Sequence, residues 1–483
     1  MTAPQRARFD LVIRDGLVVS TGDGSTPSRP DTAGPTTTTI ADVGISDGRI
    51  AAVARHLAGT GTVEIDASDQ IVIPGGIDVH THFANRVGDA TTADDFHSGT
   101  LSAAFGGITT IVNYAIQRSG QPLAEALEQD RALAAQSSAI DYGFHLIVTD
   151  PSIDEFGRQM GDLVALGCPS VKIFTAVDDF RIGDEAILAV LRQASRHGVL
   201  VNVHAEDGAM IAALTEDLLA SGRSGIQWLP SSRPSLVEEA AIRRVTAYAE
   251  LYRTPLYFVH VSSAAGLRAI VDARSHGLTV YAETRPAYLF LDDSVYAAGD
   301  DRAKFAACWP PIRSTLDQQA LWSGAADGTI DTYATDHTSW MATEKLRAGQ
   351  NFGQVPGGFA NVETSIGMLF SEGVGAGRLS LERFVDLTST RPARVFGMWP
   401  RKGAIAVGSD ADVVIIDPRA NVTVDGSTLH SRSDVESYAG RSVTGWPRVT
   451  ISHGKVIVAD GSYLGEPGSG HFVARRGPSA VGV

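Results

Sequence analysis

The chain has 483 residues, enough for one large barrel with an appendage or for two to three domains of ordinary size. Its composition, 43% hydrophobic and 20% charged, is that of a globular protein and excludes fibrous and disordered classes. A net charge of −15 and a pI near 5.3 argue against nucleic acid or an anionic membrane as partner, because both would repel the protein, and favour a small neutral or weakly charged ligand.

The N-terminal stretch MTAPQRARFDLVIRDG carries basic residues but no apolar signal core, and no apolar run is long enough to span a bilayer. Cys168 and Cys308 are too few for a disulfide framework and read as buried thiols. A cytoplasmic location is expected. The segments FDLVIRDGLVVS, IADVGISDGRI and TVEIDASDQIVI cluster Val and Ile between Asp-Gly and Ser-Asp turn signals, as small antiparallel strands do. Between the first two, GDGSTPSRPDTAGPTTTT reads as an exposed loop insertion.

From Pro74 to Gly397 the texture changes. Apolar strands (TTIVNY, DYGFHLIV, SVKIFTA, VLVNVHAE, LYFVHVSS, LTVYAET, DTYATDH) alternate with helices such as LAEALEQDRALAAQ, DEAILAVLRQASRHG and SLVEEAAIRRVTAYAELY. This alternation predicts an α/β fold, a (β/α)8 TIM-like barrel over residues 74–397. A doubly wound sheet fits less well, because no Gly-rich phosphate fingerprint follows the first strand. Strand texture returns in KGAIAVGSDADVVIIDP and RVTISHGKVIVADGSYL, so residues 1–73 and 398–483 are expected to form one discontinuous β-sandwich.

Catalysis in such a barrel sits where the strands end. The polar residues at those ends are His80 and His82 in PGGIDVHTHF, Lys172 in SVKIF, His204 in HAED, His260 in VHVSS and Asp336 in ATDH. His80 and His82 are two apart on a strand and share a face, which is how a strand end offers two imidazoles to one metal ion. Each residue alone also fits a plainer role: a satisfied core histidine, a helix-capping aspartate, a lysine at a barrel rim. Their joint occurrence at one end of successive strands favours a metal site.

These stretches, with TTADDFHSGTLSAAFGGITTIVNYA, SSRPSLVEEAAIRR, AETRPAYL and PPIR, resemble the amidohydrolase superfamily in its own order along nearly the whole chain. The likeness is greatest to its cyclic amidohydrolase group of dihydropyrimidinases, hydantoinases and allantoinases. It implies two divalent metal ions, usually zinc: one held by His80, His82 and Asp336, the other by His204 and His260. Lys172, carboxylated by carbon dioxide to a carbamate, would bridge them. It further implies attack on a ring amide, ureide or imide by a metal-bridged hydroxide, with Asp336 carrying the proton to the leaving nitrogen. Glu206, Arg233 and Glu283 are expected to orient loops or brace the barrel, a structural role before a catalytic one. A homotetramer is the expected assembly.

The chain departs from that pattern in its pocket. Val177 stands where hydantoinases place an oxyanion-binding tyrosine; Trp309 replaces a serine in CWPPIR; Gly357 replaces an asparagine in VPGGFANVE. Phe83 fits either a pocket wall or the core. PPIR, the Gly-Gly pair and the missing tyrosine lean towards allantoinase, whereas TTADDF and SSRPSLVEEAAIRR lean towards hydantoinase and dihydropyrimidinase. An amidohydrolase with a different, atypical substrate is the nearest enzyme rival. A non-catalytic dihydropyrimidinase-like scaffold is the rival of another class, opposed by the filling of all six ligand positions.

Overall fold

In the computed structural model, residues 8–21, 36–87, 90–347 and 349–477 are described. Eight parallel strands make the centre: β1 (Gly76–Thr81), β2 (Ile108–Ile116), β3 (Asp141–Ile147), β4 (Ser170–Phe174), β5 (Leu200–His204), β6 (Leu256–Phe258), β7 (Val280–Thr284) and β8 (Thr332–Tyr333). Each pairs with the next in chain order, and a parallel bridge between Thr81 and His337 brings the last back to the first. The His82 amide donates to the His337 carbonyl at 2.9 Å across that seam. The result is a closed (β/α)8 arrangement, in which strands buried on both faces read as near-continuous apolar runs.

Helices separate the strands, among them Leu123–Ser137, Asp184–His197 and Ser235–Glu250, where apolar spacing predicts them. The helix Phe96–Phe105 carries no amphipathic stripe, because eight of its ten residues are buried, and periodicity gives no sign of it. Inside the barrel, Ile77, Val79, Val112, Leu200 and Tyr257 pack with Phe396 and Met398 from the segment after the last helix.

Both ends of the chain build one nine-strand sheet. The strand Val413–Thr423 lies antiparallel to Ile71–Pro74, so C-terminal residues complete an N-terminal sheet around a core that includes Ile13, Val43, Val72, Val413 and Ile451. Two details differ from expectation. Asp15-Gly16 is no hairpin turn but an irregularity inside one long strand, Arg8–Thr21. Asp15 takes a positive φ of 55°, and a Cβ on Gly16 would meet Val72 at 2.4 Å, so a close approach explains the glycine. The four threonines at the end of the Pro/Thr-rich stretch belong to the strand Thr36–Ser46, as β-branched residues favour; the rest of that insertion, residues 22–35, lies outside the described residues.

A buried ionic cluster joins barrel to sheet. The Lys402 ammonium lies 2.5 Å from Asp141 at the start of β3, 2.5 Å from Asp412 and 3.0 Å from Asp410. Burial opposes the charge on Asp141, but Lys402 and His453 outweigh it and hold the carboxyl well below the usual range. That stabilisation is present above the unfolded aspartate pKa of about 3.9 and is lost as the pH falls further. Lys402→Met leaves three facing carboxylates without their common cation. A loss of about 3–5 kcal/mol is expected, read as a lower denaturant midpoint with an unchanged slope.

Candidate active site

The ends of β1, β4, β5, β6, β7 and β8 converge on one mouth, and the structure brings all six candidate ligands together there. His80 Nε2 lies 3.1 Å and His82 Nε2 3.3 Å from the same oxygen, Asp336 Oδ1. The ligand atoms of these three all fall within 4.8 Å of one another. Lys172 Nζ is 3.1 Å from His80 Nε2. On the opposite side His204 Nδ1 and His260 Nε2 face each other at 3.0 Å. The rings of His80 and His260, centroids 5.5 Å apart, link the two halves.

Partners hold these groups in register. Glu283, at the end of β7, takes His80 Nδ1 at 2.7 Å and accepts the His260 amide at 2.8 Å. The Tyr257 hydroxyl fixes the other Glu283 oxygen. Glu206 takes His204 Nε2 at 3.0 Å and is itself held by Arg233 at 2.5 Å. Asn85 Oδ1 takes His82 Nδ1 at 3.0 Å, and the Tyr114 ring stacks on His82. Each outer nitrogen so engaged leaves the inner one turned to the centre, an arrangement typical of metal-binding histidines.

Electrostatics agree with a cation site. Burial pushes His82 down to about 4 and lowers His204 and His260, so these imidazoles are neutral and carry free lone pairs. Burial also opposes charge on His80, but Glu283 and Asp336 together outweigh it and raise that group. Asp336 lies well below the usual carboxylate range, since His80 and Arg285 outweigh its desolvation. Burial brings Lys172 down to about 8, with its ammonium over the Tyr114 and Phe174 rings at 4.3 and 4.8 Å. Positive φ values occur at His260 (38°), Asp336 (49°) and Val177 (71°), and such strain in non-glycine residues concentrates at functional sites. Among the described residues, two other groupings of metal-capable side chains, Asp141 with His453 and His471 and Asp141 with Asp410 and Asp412, adjoin Lys402 and so already have a cation.

The pocket residues divide. Val177 lies just beyond β4, beside the Phe174 ring that stacks on His204. Trp309 and Gly357 are neighbours: a Cβ on residue 357 would stand 3.2 Å from the indole and 3.3 Å from the Cys308 Cα, so the glycine gives the indole clearance. Phe83 has no exposed surface and packs edge-on against Phe96 and His337, which gives it the core role. Sequence reasoning passed over Arg285, which is fully buried and ion-paired with Asp336. Its only signal was an arginine placed directly after a strand of the barrel.

A (β/α)8 barrel gathering four imidazoles, a carboxylate and a lysine at its mouth has the architecture of a metal-dependent hydrolase. Comparison with known proteins agrees. The amidohydrolase family profile matches residues 71–457. The D-hydantoinase of Ralstonia pickettii is 40% identical over 470 residues, covering 97% of this chain and 99% of the relative. A solved D-hydantoinase structure superposes with a TM-score of 0.91 at 38% identity, covering 97% of this chain and all of that one. The dihydropyrimidinase of Brevibacillus agri NCHU1002 does so with 0.89 at 36% identity, covering 96% and 98%. The chain belongs to the amidohydrolase family.

Proposed function

We propose that this protein is a binuclear metal-dependent hydrolase that opens the ring of a cyclic amide, ureide or imide of the hydantoin and dihydropyrimidine type. The observation that carries this is the convergence of His80, His82 and Asp336 on one side and His204 and His260 on the other, with Lys172 beside His80. The donor set suits two divalent ions, and its imidazole-rich character favours zinc. His80, His82 and Asp336 would hold one ion, and His204 and His260 the other. Lys172 would bridge them as a carbamate. That reaction needs the neutral amine, which the lowered pKa of about 8 supplies.

When bound, the ions supply Lewis acidity and an activated water near neutral pH. The chain's own residues do the rest. Asp336, held by Arg285 on one oxygen, takes the water's proton and delivers it to the leaving ring nitrogen. Glu283 and Asn85 keep His80 and His82 aimed at the centre. Trp309 gives the pocket a large apolar wall. The names of the full-length relatives favour hydantoin-type rings over allantoin. A homotetramer and a cytoplasmic location complete the proposal by family analogy.

The test is a substrate panel on zinc-loaded, bicarbonate-supplied protein: hydantoins, dihydrouracil, allantoin and cyclic imides. Opening of at least one ring supports the reading. Inertness towards all of them at full metal occupancy refutes it in favour of an amidohydrolase with a different substrate, and failure to bind metal at all favours the scaffold. Val177→Tyr is expected to change rate or ring preference, because residue 177 follows the Lys172 strand at the mouth. Unaltered kinetics would place that side chain away from the substrate.

A further inference from the structure

The groups unsatisfied among the described residues include several N–H donors around the mouth. Arg285 is the strongest case. It follows β7, has no exposed surface, and pairs through one terminal nitrogen with Asp336. That carboxylate is already shared with His80 and His82, so the guanidinium charge is only partly answered. Nε and the second terminal nitrogen, NH2, have no hydrogen-bond partner. In a guanidinium these two N–H groups point the same way along one edge, a fork that fits the two oxygens of a carboxylate. The guanidinium carbon lies 5.1 Å from the Tyr288 ring centroid and 5.3 Å from that of Phe359, so aromatic groups flank the cation. A buried charged donor left without an acceptor is costly.

Two further unpaired donors lie on the adjoining loop. Trp309 Nε1 and Arg313 NH2 both lack partners, and the Tyr288 hydroxyl ties that loop to the Arg285 side by donating to the Pro310 carbonyl at 2.6 Å. Buried acceptors without partners also occur, among them Glu206 Oε1 and Asn361 Oδ1, but a plain apolar ring would satisfy none of these four N–H donors. A ring bearing an acidic substituent would satisfy the fork and the charge together.

We propose that Arg285 is a specificity-determining residue, and that the preferred substrate is a cyclic amide whose side chain ends in a carboxylate bound by the free edge of its guanidinium. This rests on the ring-opening activity proposed above. The test uses two near-isosteric hydantoins, one with a carboxyethyl and one with a neutral carbamoylethyl substituent, compared on metal-loaded wild type, Arg285→Lys and Arg285→Met. Both kcat/KM and calorimetric Kd are read.

Wild type is expected to prefer the acidic ring. Arg285→Met should lose about 10- to 100-fold on that ring and only a few-fold on the neutral one, the range for hydrogen bonds to charged groups. Arg285→Lys should recover part of the difference, being a point charge without the fork. An equal loss on both rings, or no wild-type preference, overturns the proposal. Should Arg285→Met fail to fold, the wild-type preference and Arg285→Lys decide it. Should neither ring be opened, the substrate panel above decides the ring-opening reading separately, and the Kd pair alone decides the role of Arg285.

Discussion

Lys172→Ala is expected to abolish ring opening and to strip the protein of metal. Lys172 ends up 3.1 Å from His80 Nε2, fully buried, against the Tyr114 and Phe174 rings. An ammonium there would repel any cation that His80 and Asp336 attract. The same burial that lowers its pKa to about 8 makes the neutral amine available to carbon dioxide, and the proposed carbamate would be a carboxylate-like ligand. Alanine deletes that ligand. A fall in kcat of about 10³-fold or more is expected, roughly 4 kcal/mol of barrier, together with a fall in metal content. Because the missing group is in effect a carboxylate, millimolar acetate or propionate should restore part of both. Elemental analysis and initial rates check this; full metal and full rate in the variant would refute the bridging role.

Asp336→Asn comes next in size, and its cost has two parts. Asp336 Oδ1 faces His80 and His82, and Oδ2 faces Arg285. An amide keeps the shape but cannot accept the proton bound for the leaving nitrogen. The catalytic loss should reach about 10²–10⁴-fold in kcat, the range for general acid–base groups. The amide also leaves the Arg285 guanidinium buried without a counter-charge, a penalty of about 3–5 kcal/mol. Urea unfolding monitored alongside kcat separates the two. Pairing Asp336→Asn with Arg285→Met should recover stability but not rate, because the double variant removes the orphaned charge and still lacks the proton acceptor.

Much of the fold was legible because the barrel strands are short apolar runs bounded by turns, and helices such as Asp184–His197, which buries Ile187, Val190, Leu191 and Ala194, carry an amphipathic stripe. LAEALEQDRALAAQ and the helix Leu123–Ser137 coincide almost residue for residue. What periodicity missed is where tertiary contact sets local structure: the mostly buried helix Phe96–Phe105, and the bulge at Asp15-Gly16, where Val72 comes close. The site divides the same way. Histidines two apart on a strand announce a shared face, and the strand-end positions of Lys172, His204, His260 and Asp336 follow from the alternation. The pairing of Glu283 with His80, 203 residues apart, exists only once the barrel closes. The same holds for Arg285 beside Asp336, and for the clearance that Gly357 gives Trp309.

Anomalous diffraction from zinc-loaded crystals, with elemental analysis of the same protein, bears most directly on the whole account. Two peaks per chain are predicted, one between His80, His82 and Asp336 and one between His204 and His260, with density for a carbamate extending from Lys172 between them. A chain that takes up no metal when supplied with zinc and bicarbonate, or that takes it only beside Asp141 and leaves the barrel mouth empty, would contradict it.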